Sequence, residues 1–302
     1  MGSFIVDLMG RAPHLPVTGE TVLGSDFKIG PGGKGANQGV AARRAGGNVT
    51  MITKIGNDKF AQIALESFQG EGMDTQFVFR DDSAMTGAAL IMVDENTADN
   101  KILVCIGACN NITAAEIERA RPAMEQARVF LTQLETNLDA VEQAVGIAHA
   151  AGATVILNPA PAGPIPHGLL EKVHILTPNE VEAAIISGAP VQTPGDAVQA
   201  ARALMRMGAG RVIITMGAQG SMVVTEQEHR FIPALRVDAV DTTGAGDAYN
   251  GGLAAALAEG RDIFAAAEFA GAVAALSVTK IGTAPAMPTR AEIDSFLKSN
   301  AG

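Results

Sequence analysis

From residue 128 onward, short β-branched runs alternate with Ala-rich stretches of helical length, and this alternation limits the folds open to the chain. Residues 129–131, 154–157, 173–176 and 212–214 are the short, mostly apolar runs, while residues 138–150, 179–186 and 197–207 read as helices between or beside them. Strands apolar on both faces and joined by helices are covered on both sides, which is the condition of a parallel sheet. The expected fold is α/β, a doubly wound, mostly parallel sheet with helices on both faces.

The first hundred residues read differently. Residues 86–93 and 100–106 form two strands around the polar turn 94–99, an antiparallel hairpin to which residues 22–29 add. No repeat, low-complexity tract or Ser/Pro linker marks a boundary, so the small sheet is an insertion rather than a sequential domain. Residues 8–29 and 85–106 are assigned to it, and residues 1–7, 30–84 and 107–302 to the core.

Charge and cysteine content narrow the function. Lys and Arg number 22 against 32 Asp and Glu, giving a formal charge of −10 with no basic stripe, which argues against nucleic acid as a partner. No apolar run approaches the roughly 20 residues that span a bilayer, and no basic-then-apolar leader is visible. Cys105 and Cys109, four apart, form no disulfide framework, and with five His they are too few for a zinc site. A soluble protein of the reducing cytoplasm is expected.

In open α/β sheets ligands bind beyond the carboxyl ends of the strands. Here those ends carry Gln133, Glu135, Asn158, Asn179, Glu182 and Thr215. Each alone would pass as a cap or turn residue; together they line a polar cleft. Asn179 and Glu182, three apart at a helix start, share a face on which a carboxylate can hold a magnesium-bound water.

Two glycine-rich segments carry the chemistry. Gly30-Pro31-Gly32-Gly33-Lys34-Gly35-Ala36-Asn37-Gln38 runs into a helix, letting backbone approach a ligand and presenting Lys34 and Asn37 on one face, a pair suited to a polyhydroxylated ligand. Gly30, Gly32 and Gly35 also satisfy a dinucleotide-binding spacing. The mixed run Asp26-Phe27-Lys28-Ile29 before them, where a strongly apolar strand is wanted, and Lys54 at the end of the next strand argue against that oxidoreductase reading, and Gly35 after Lys34 argues against a P-loop. The second segment, Asp241-Thr242-Thr243-Gly244-Ala245-Gly246-Asp247, enters a small-residue helix whose first amides and positive dipole end converge on one point, an anion site. Asp247 is either an ordinary first-turn acid or the acceptor of a proton from an attacking hydroxyl.

Residues 32–38 and 241–247 resemble the two signatures of the PfkB carbohydrate kinases, in particular the ribokinase branch. The likeness extends through Gln133-Leu134-Glu135, Leu157-Asn158-Pro159-Ala160-Pro161, Thr177-Pro178-Asn179-Glu180 and Lys280-Ile281-Gly282-Thr283-Ala284-Pro285. The resemblance implies an ATP-dependent kinase that phosphorylates the 5-hydroxyl of a pentose, with Asp247 as base and Gly244, Ala245 and Gly246 as anion hole. It places Asp7, Gly33, Lys34, Asn37 and Glu135 at the sugar. Asn179 and Glu182 fall at magnesium and phosphate, and Thr215, Gly217 and Gly220 at the nucleotide. A potassium ion is implied among Asp241, Thr243, Ser277, Lys280, Gly282 and Ala286, mostly through backbone carbonyls. The inserted sheet would be a lid that closes over the sugar and pairs with a second lid in a homodimer.

Two positions depart from the family pattern. An apolar strand normally precedes the residues matching Gly2-Ser3, whereas this chain begins there, so either residues lie upstream or the sheet lacks a strand that helps place Asp7. Ile5 stands where ribokinases usually carry Asn, as in the deoxyribose kinases, so a hydrogen bond to a sugar hydroxyl is lost and ribose and 2-deoxyribose remain level. A kinase of another sugar or nucleoside, and a binding regulator without catalysis, are the alternatives.

Overall fold

The computed structural model describes residues 1–97 and 99–300. In chain order the elements are β1 (Ile5–Ala12), β2 (Asp26–Gly32), α1 (Lys34–Arg44), β3 (Thr50–Gly56), α2 (Lys59–Gly70), β4 (Asp74–Asp81), β5 (Thr86–Asp94) and β6 (Asn100–Gly107). There follow α3 (Ala114–Gln126), β7 (Val129–Thr132), α4 (Leu138–Ala150), β8 (Thr154–Leu157), α5 (His167–Leu170), β9 (Ile175–Leu176), α6 (Glu180–Ser187) and α7 (Pro194–Arg206). The last are β10 (Arg211–Thr215), β11 (Gly220–Val224), β12 (His229–Pro233), α8 (Ala245–Ala258), α9 (Ile263–Ser277) and α10 (Arg290–Ser299).

Six strands form the main sheet in the order β12-β11-β10-β9-β8-β7, parallel from β7 to β10 and antiparallel beyond. Its strands alternate between two cores. Val155, Leu157, Val212 and Ile214 pack with α3, α4 and α7, whereas Ile156, Ile213 and Val223 pack with α1, α8 and α9. This is the doubly wound arrangement, and each such Val, Ile or Leu contributes about 1.5–3 kcal/mol by leaving water. Of the expected strand 173–176, only Ile175 and Leu176 pair in the sheet. Among the described residues, no helix is long and apolar enough to cross a membrane.

The small sheet has the order β2-β1-β5-β6. Its outer pairings are antiparallel and its central pairing, β1 with β5, is parallel. The strand expected at residues 22–29 lies at Asp26–Gly32, and β1 is a full eight-residue strand. Both run past the boundaries expected at 7/8 and 29/30, so Asp7 is paired with Gly30 and Ala89 inside this sheet.

Among the described residues, no strand joins β7 to β3, which pairs only with β4 in a separate two-stranded sheet. Met1 and Gly2 lie between the two edges, the Met1 amino group donating to the Leu131 carbonyl at 2.8 Å and the Gly2 N–H to that of Ile52 at 3.1 Å. Beside them is a cleft of about 690 Å³ whose walls include Gln38, Met51, Phe77, Phe130 and Gln133. The β3–β4 unit is tied to its surroundings by buried Lys54, which donates to the Asn111 carbonyl at 2.8 Å and pairs with Glu116 at 3.1 Å and Asp81 at 3.7 Å.

Candidate active site

The site is assembled where α8 lies against α1. A methyl group added at Gly251 would overlap Ala41 and the Gln38 backbone, so only glycine permits this approach of the two helices. The approach carries Asp247, in the first turn of α8, to α1. There it accepts Asn37 Nδ2 on Oδ2 at 3.0 Å and Gln38 Nε2 on Oδ1 at 2.9 Å. Asn37 Oδ1 is buried with no hydrogen-bond partner in the protein, an acceptor fitted to a ligand hydroxyl.

Gly33 precedes α1 with φ at 89°, a left-handed conformation that glycine adopts at no steric cost. The turn aims the Lys34 N–H at Glu135, which accepts it at 3.0 Å and the Ser3 hydroxyl at 2.5 Å. Asp7 enters from β1. Ile5 is on the same face of that strand, two residues earlier, and is buried, whereas Phe4 and Val6 turn the other way into the core.

The charges of this cleft act on one another. Burial pushes Asp247 up from the ordinary carboxylate range, against the opposing pull of Lys34 and the hydrogen bonds from Gln38 and Asn37. Asp7 is pushed up to about 6 by burial and by the charges of Glu135 and Asp247. Glu182 is raised by burial and feels both Lys34 and Asp247, so α6 faces the same cleft. A partly buried cleft with one cation among four carboxylates is built to receive further positive charge or to hold a proton.

Asn179 and Glu182 form a capping box. Asn179 Oδ1 accepts the Glu182 N–H at 2.8 Å and Glu182 Oε2 accepts the Asn179 N–H at 2.9 Å, so one carboxylate oxygen serves its own helix. Thr215 ends β10 and bridges to Asn179, while Gly217 and Gly220 shape the turn into β11. Gly244, with φ at 78°, precedes α8. The Ala245 N–H donates to the Thr242 carbonyl at 3.2 Å and is therefore engaged within the loop expected to cradle an anion.

Asp241 joins two loops: its Oδ1 accepts the Thr243 N–H and its Oδ2 the Gly282 N–H, each at 2.9 Å. Burial would raise its pKa, but the hydrogen bonds from Gly282 and Thr243 outweigh it and hold the group low. Ser277 and Ala286 are buried nearby in sequence, the Ser277 hydroxyl donating to the Ala274 carbonyl, and the Lys280 ammonium pairs with Glu292 at 2.8 Å. Both side chains point their polar groups to other partners, leaving backbone carbonyls as the donors these positions offer. Among the described residues, no group of three or more His, Cys, Asp or Glu is placed to hold a metal.

Sequence reasoning placed Gln133 only as a lining residue of the polar cleft and gave no individual role to Gln38 or Ser3. The signal was present for Gln38, an amide on the face of α1 that also carries Gly35, Ala41 and Ala42, all buried.

The profile of the pfkB family of carbohydrate kinases matches residues 1–290. The chain is 39% identical to a ribokinase of Haemophilus influenzae over 298 residues, 99% of this chain and 97% of the relative. It is 37% identical to a deoxyribokinase of Salmonella typhi over 301 residues, 99% of this chain and 98% of the relative. Among solved structures, Thermotoga maritima ribokinase superposes with a TM-score of 0.89 at 31% identity, covering 98% of this chain and 97% of that one. Arabidopsis thaliana ribokinase complexed with ribose and ATP superposes with a TM-score of 0.91 at 28% identity, with the same coverage. Signatures, fold and relatives agree over nearly the whole length: the chain belongs to the pfkB family of carbohydrate kinases and is a phosphotransferase with an alcohol acceptor.

Proposed function

We propose that the protein passes the γ-phosphoryl group of ATP to the 5-hydroxyl of ribose or 2-deoxyribose, with Asp247 as the base. The observation that carries this reading is a buried carboxylate in the first turn of α8, gripped by Asn37 and Gln38 and facing Lys34. The sugar is held by Lys34, Asn37, Glu135, Asp7 and the backbone at Gly33, with unpartnered Asn37 Oδ1 accepting one of its hydroxyls. Asp247 Oδ2 takes the proton of the attacking hydroxyl as its oxygen bonds to phosphorus and the bond to the β-phosphate oxygen breaks, releasing ADP. The first amides of α8, at Gly246 and beyond, stabilise the charge on the transferring group.

The relatives named ribokinase and deoxyribokinase support a pentose as acceptor, and the solved relative holding ribose and ATP supports this pair of ligands. Thr215, Gly217 and Gly220 border the nucleotide. Glu182, half-buried with one carboxylate oxygen outside the capping box, suits a water-mediated magnesium contact. The carbonyls of Asp241, Thr243, Ser277, Lys280, Gly282 and Ala286 would hold potassium, and the Asp241 carboxylate ties the two loops that supply them. When bound, the two cations neutralise phosphate charge and set the electrostatics of the anion hole.

The small sheet acts as a lid over the sugar and as a dimer surface. On the face opposite Asp7, in-register neighbours Leu8, Ile29, Leu90 and Leu103 adjoin Phe27 and Met92, an apolar surface suited to a second copy. Free Cys105, exposed, and free Cys109, buried, suit a cytoplasmic setting.

The test is steady-state ADP formation with ribose and 2-deoxyribose, comparing wild type with Asp247→Asn. The variant is expected to lose roughly a thousandfold in kcat with sugar affinity nearly intact. Full activity in the variant would overturn the base assignment, and no ADP from either sugar with the wild type would overturn the substrate class.

A further inference from the structure

Asp247 Oδ1 is held by an amide whose orientation is dictated from the far end of a buried chain. The Thr177 carbonyl, which can only accept, takes Asn158 Nδ2 at 2.8 Å. Asn158 Oδ1 is thereby turned toward Gln38 and accepts its Nε2 at 3.0 Å. The same Nε2 gives its second hydrogen to Asp247 Oδ1, and Gln38 Oε1 accepts Gln133 Nε2 at 2.6 Å. All three amide side chains are buried, so water does not relieve a wrong orientation. Reversing Gln38 would set its oxygen against those of Asp247 and Asn158, and its nitrogen against that of Gln133.

We infer that Gln38 is a positioning residue for phosphoryl transfer: it fixes the rotation of the Asp247 carboxylate so that Oδ1 is taken up by the amide network while Oδ2, which also accepts Asn37 Nδ2, keeps its other lone pair for the acceptor hydroxyl. The inference rests on the reading of Asp247 as base. Gln38 also favours the ionised carboxylate, since a donor to the charged form lowers a pKa. The charged groups facing Asp247 are Lys34 of α1, Glu135 beyond β7, Asp7 of β1 and Glu182 of α6, and of these only Lys34 supports ionisation. Without Gln38, burial and three carboxylates would oppose one cation and Asn37.

The experiment measures kcat against pH for wild type, Gln38→Met, Gln38→Asn and Asp247→Asn, with folding checked by circular dichroism. Gln38→Met keeps the shape without polar atoms and is expected to lower kcat roughly tenfold to a hundredfold, with the sugar KM within about twofold. Its acid limb moves to higher pH by about one unit, a readout that a merely structural role would not move. Gln38→Asn withdraws the amide by one methylene and shifts the limb in the same direction by less. If Gln38→Met does not fold, Gln38→Asn decides alone. An unmoved acid limb in the folded Gln38 variants, with Asp247→Asn inactive, overturns the positioning role and leaves the base in place. Full turnover by Asp247→Asn overturns the base and this inference with it.

Discussion

Two regions of the molecule reverse the ordinary distribution of polarity, in opposite senses. Where α1 meets α8, Asn37, Gln38 and Asp247 are 4%, 0% and 7% exposed. On the small sheet Phe27, Ile29 and Leu103 are 63%, 51% and 62% exposed. The buried region is held largely from within the chain, because both Asp247 oxygens and Gln38 Nε2 find partners there, with Asn37 Oδ1 left for a ligand; a desolvated polar group without a partner costs several kcal/mol. The exposed region has no such internal partners, and an apolar face of this kind marks a site of association. One inversion is therefore chemical and local to a single chain, and the other is the surface proposed above to receive a second copy.

The largest effect should come from breaking the second inversion. Leu90→Lys combined with Leu103→Lys places like charges on neighbouring strands of the exposed face and is expected to weaken self-association at least roughly a hundredfold, about 2.7 kcal/mol. Light scattering across a dilution series reads this, and a chain that is monomeric before the change would refute the dimer surface. The first inversion is sharpened by Asp7→Asn. The folded-state pKa of Asp7, about 6, lies above its ordinary value, so its ionised form is a penalty fully present above pH 6 and removed as pH falls toward 4. The variant should be more stable than wild type at pH 8 by about 1–2 kcal/mol while binding sugar more weakly, and the gain should vanish near pH 4. Urea titrations at the two pH values decide it, equal stability at pH 8 counting against a strained carboxylate. The smallest effect is at the junction of the regions: Ile5→Asn should raise the ratio of kcat/KM for ribose over 2-deoxyribose by about tenfold. An unchanged ratio removes Ile5 from sugar selection.

How much was legible in the sequence follows from how local each signal is. Lys34, Asn37 and Asp247, which the structure brings together, stood out as candidates because glycines and charges at fixed spacing before a helix carry their meaning within a few residues. The core strands were found because β8 and β10 are apolar on both faces. β1 escaped as a strand because Ile5–Ala12 mixes core, site and lid roles and shows no clean alternation. The partnership of Gln38 with Gln133 joins residues 95 apart, which no local pattern records. The Asn179–Glu182 pair was legible as a spacing, but the same spacing serves a helix cap, and the structure uses it as one.

The seam between β7 and β3 sets where the molecule gives way. Each strand ends its sheet there, so among the described residues Met1 and Gly2 alone bridge two rows of backbone groups that elsewhere would be laddered together. Amides on those facing edges should trade hydrogen for deuterium before those of β8 and β10, which are paired on both sides.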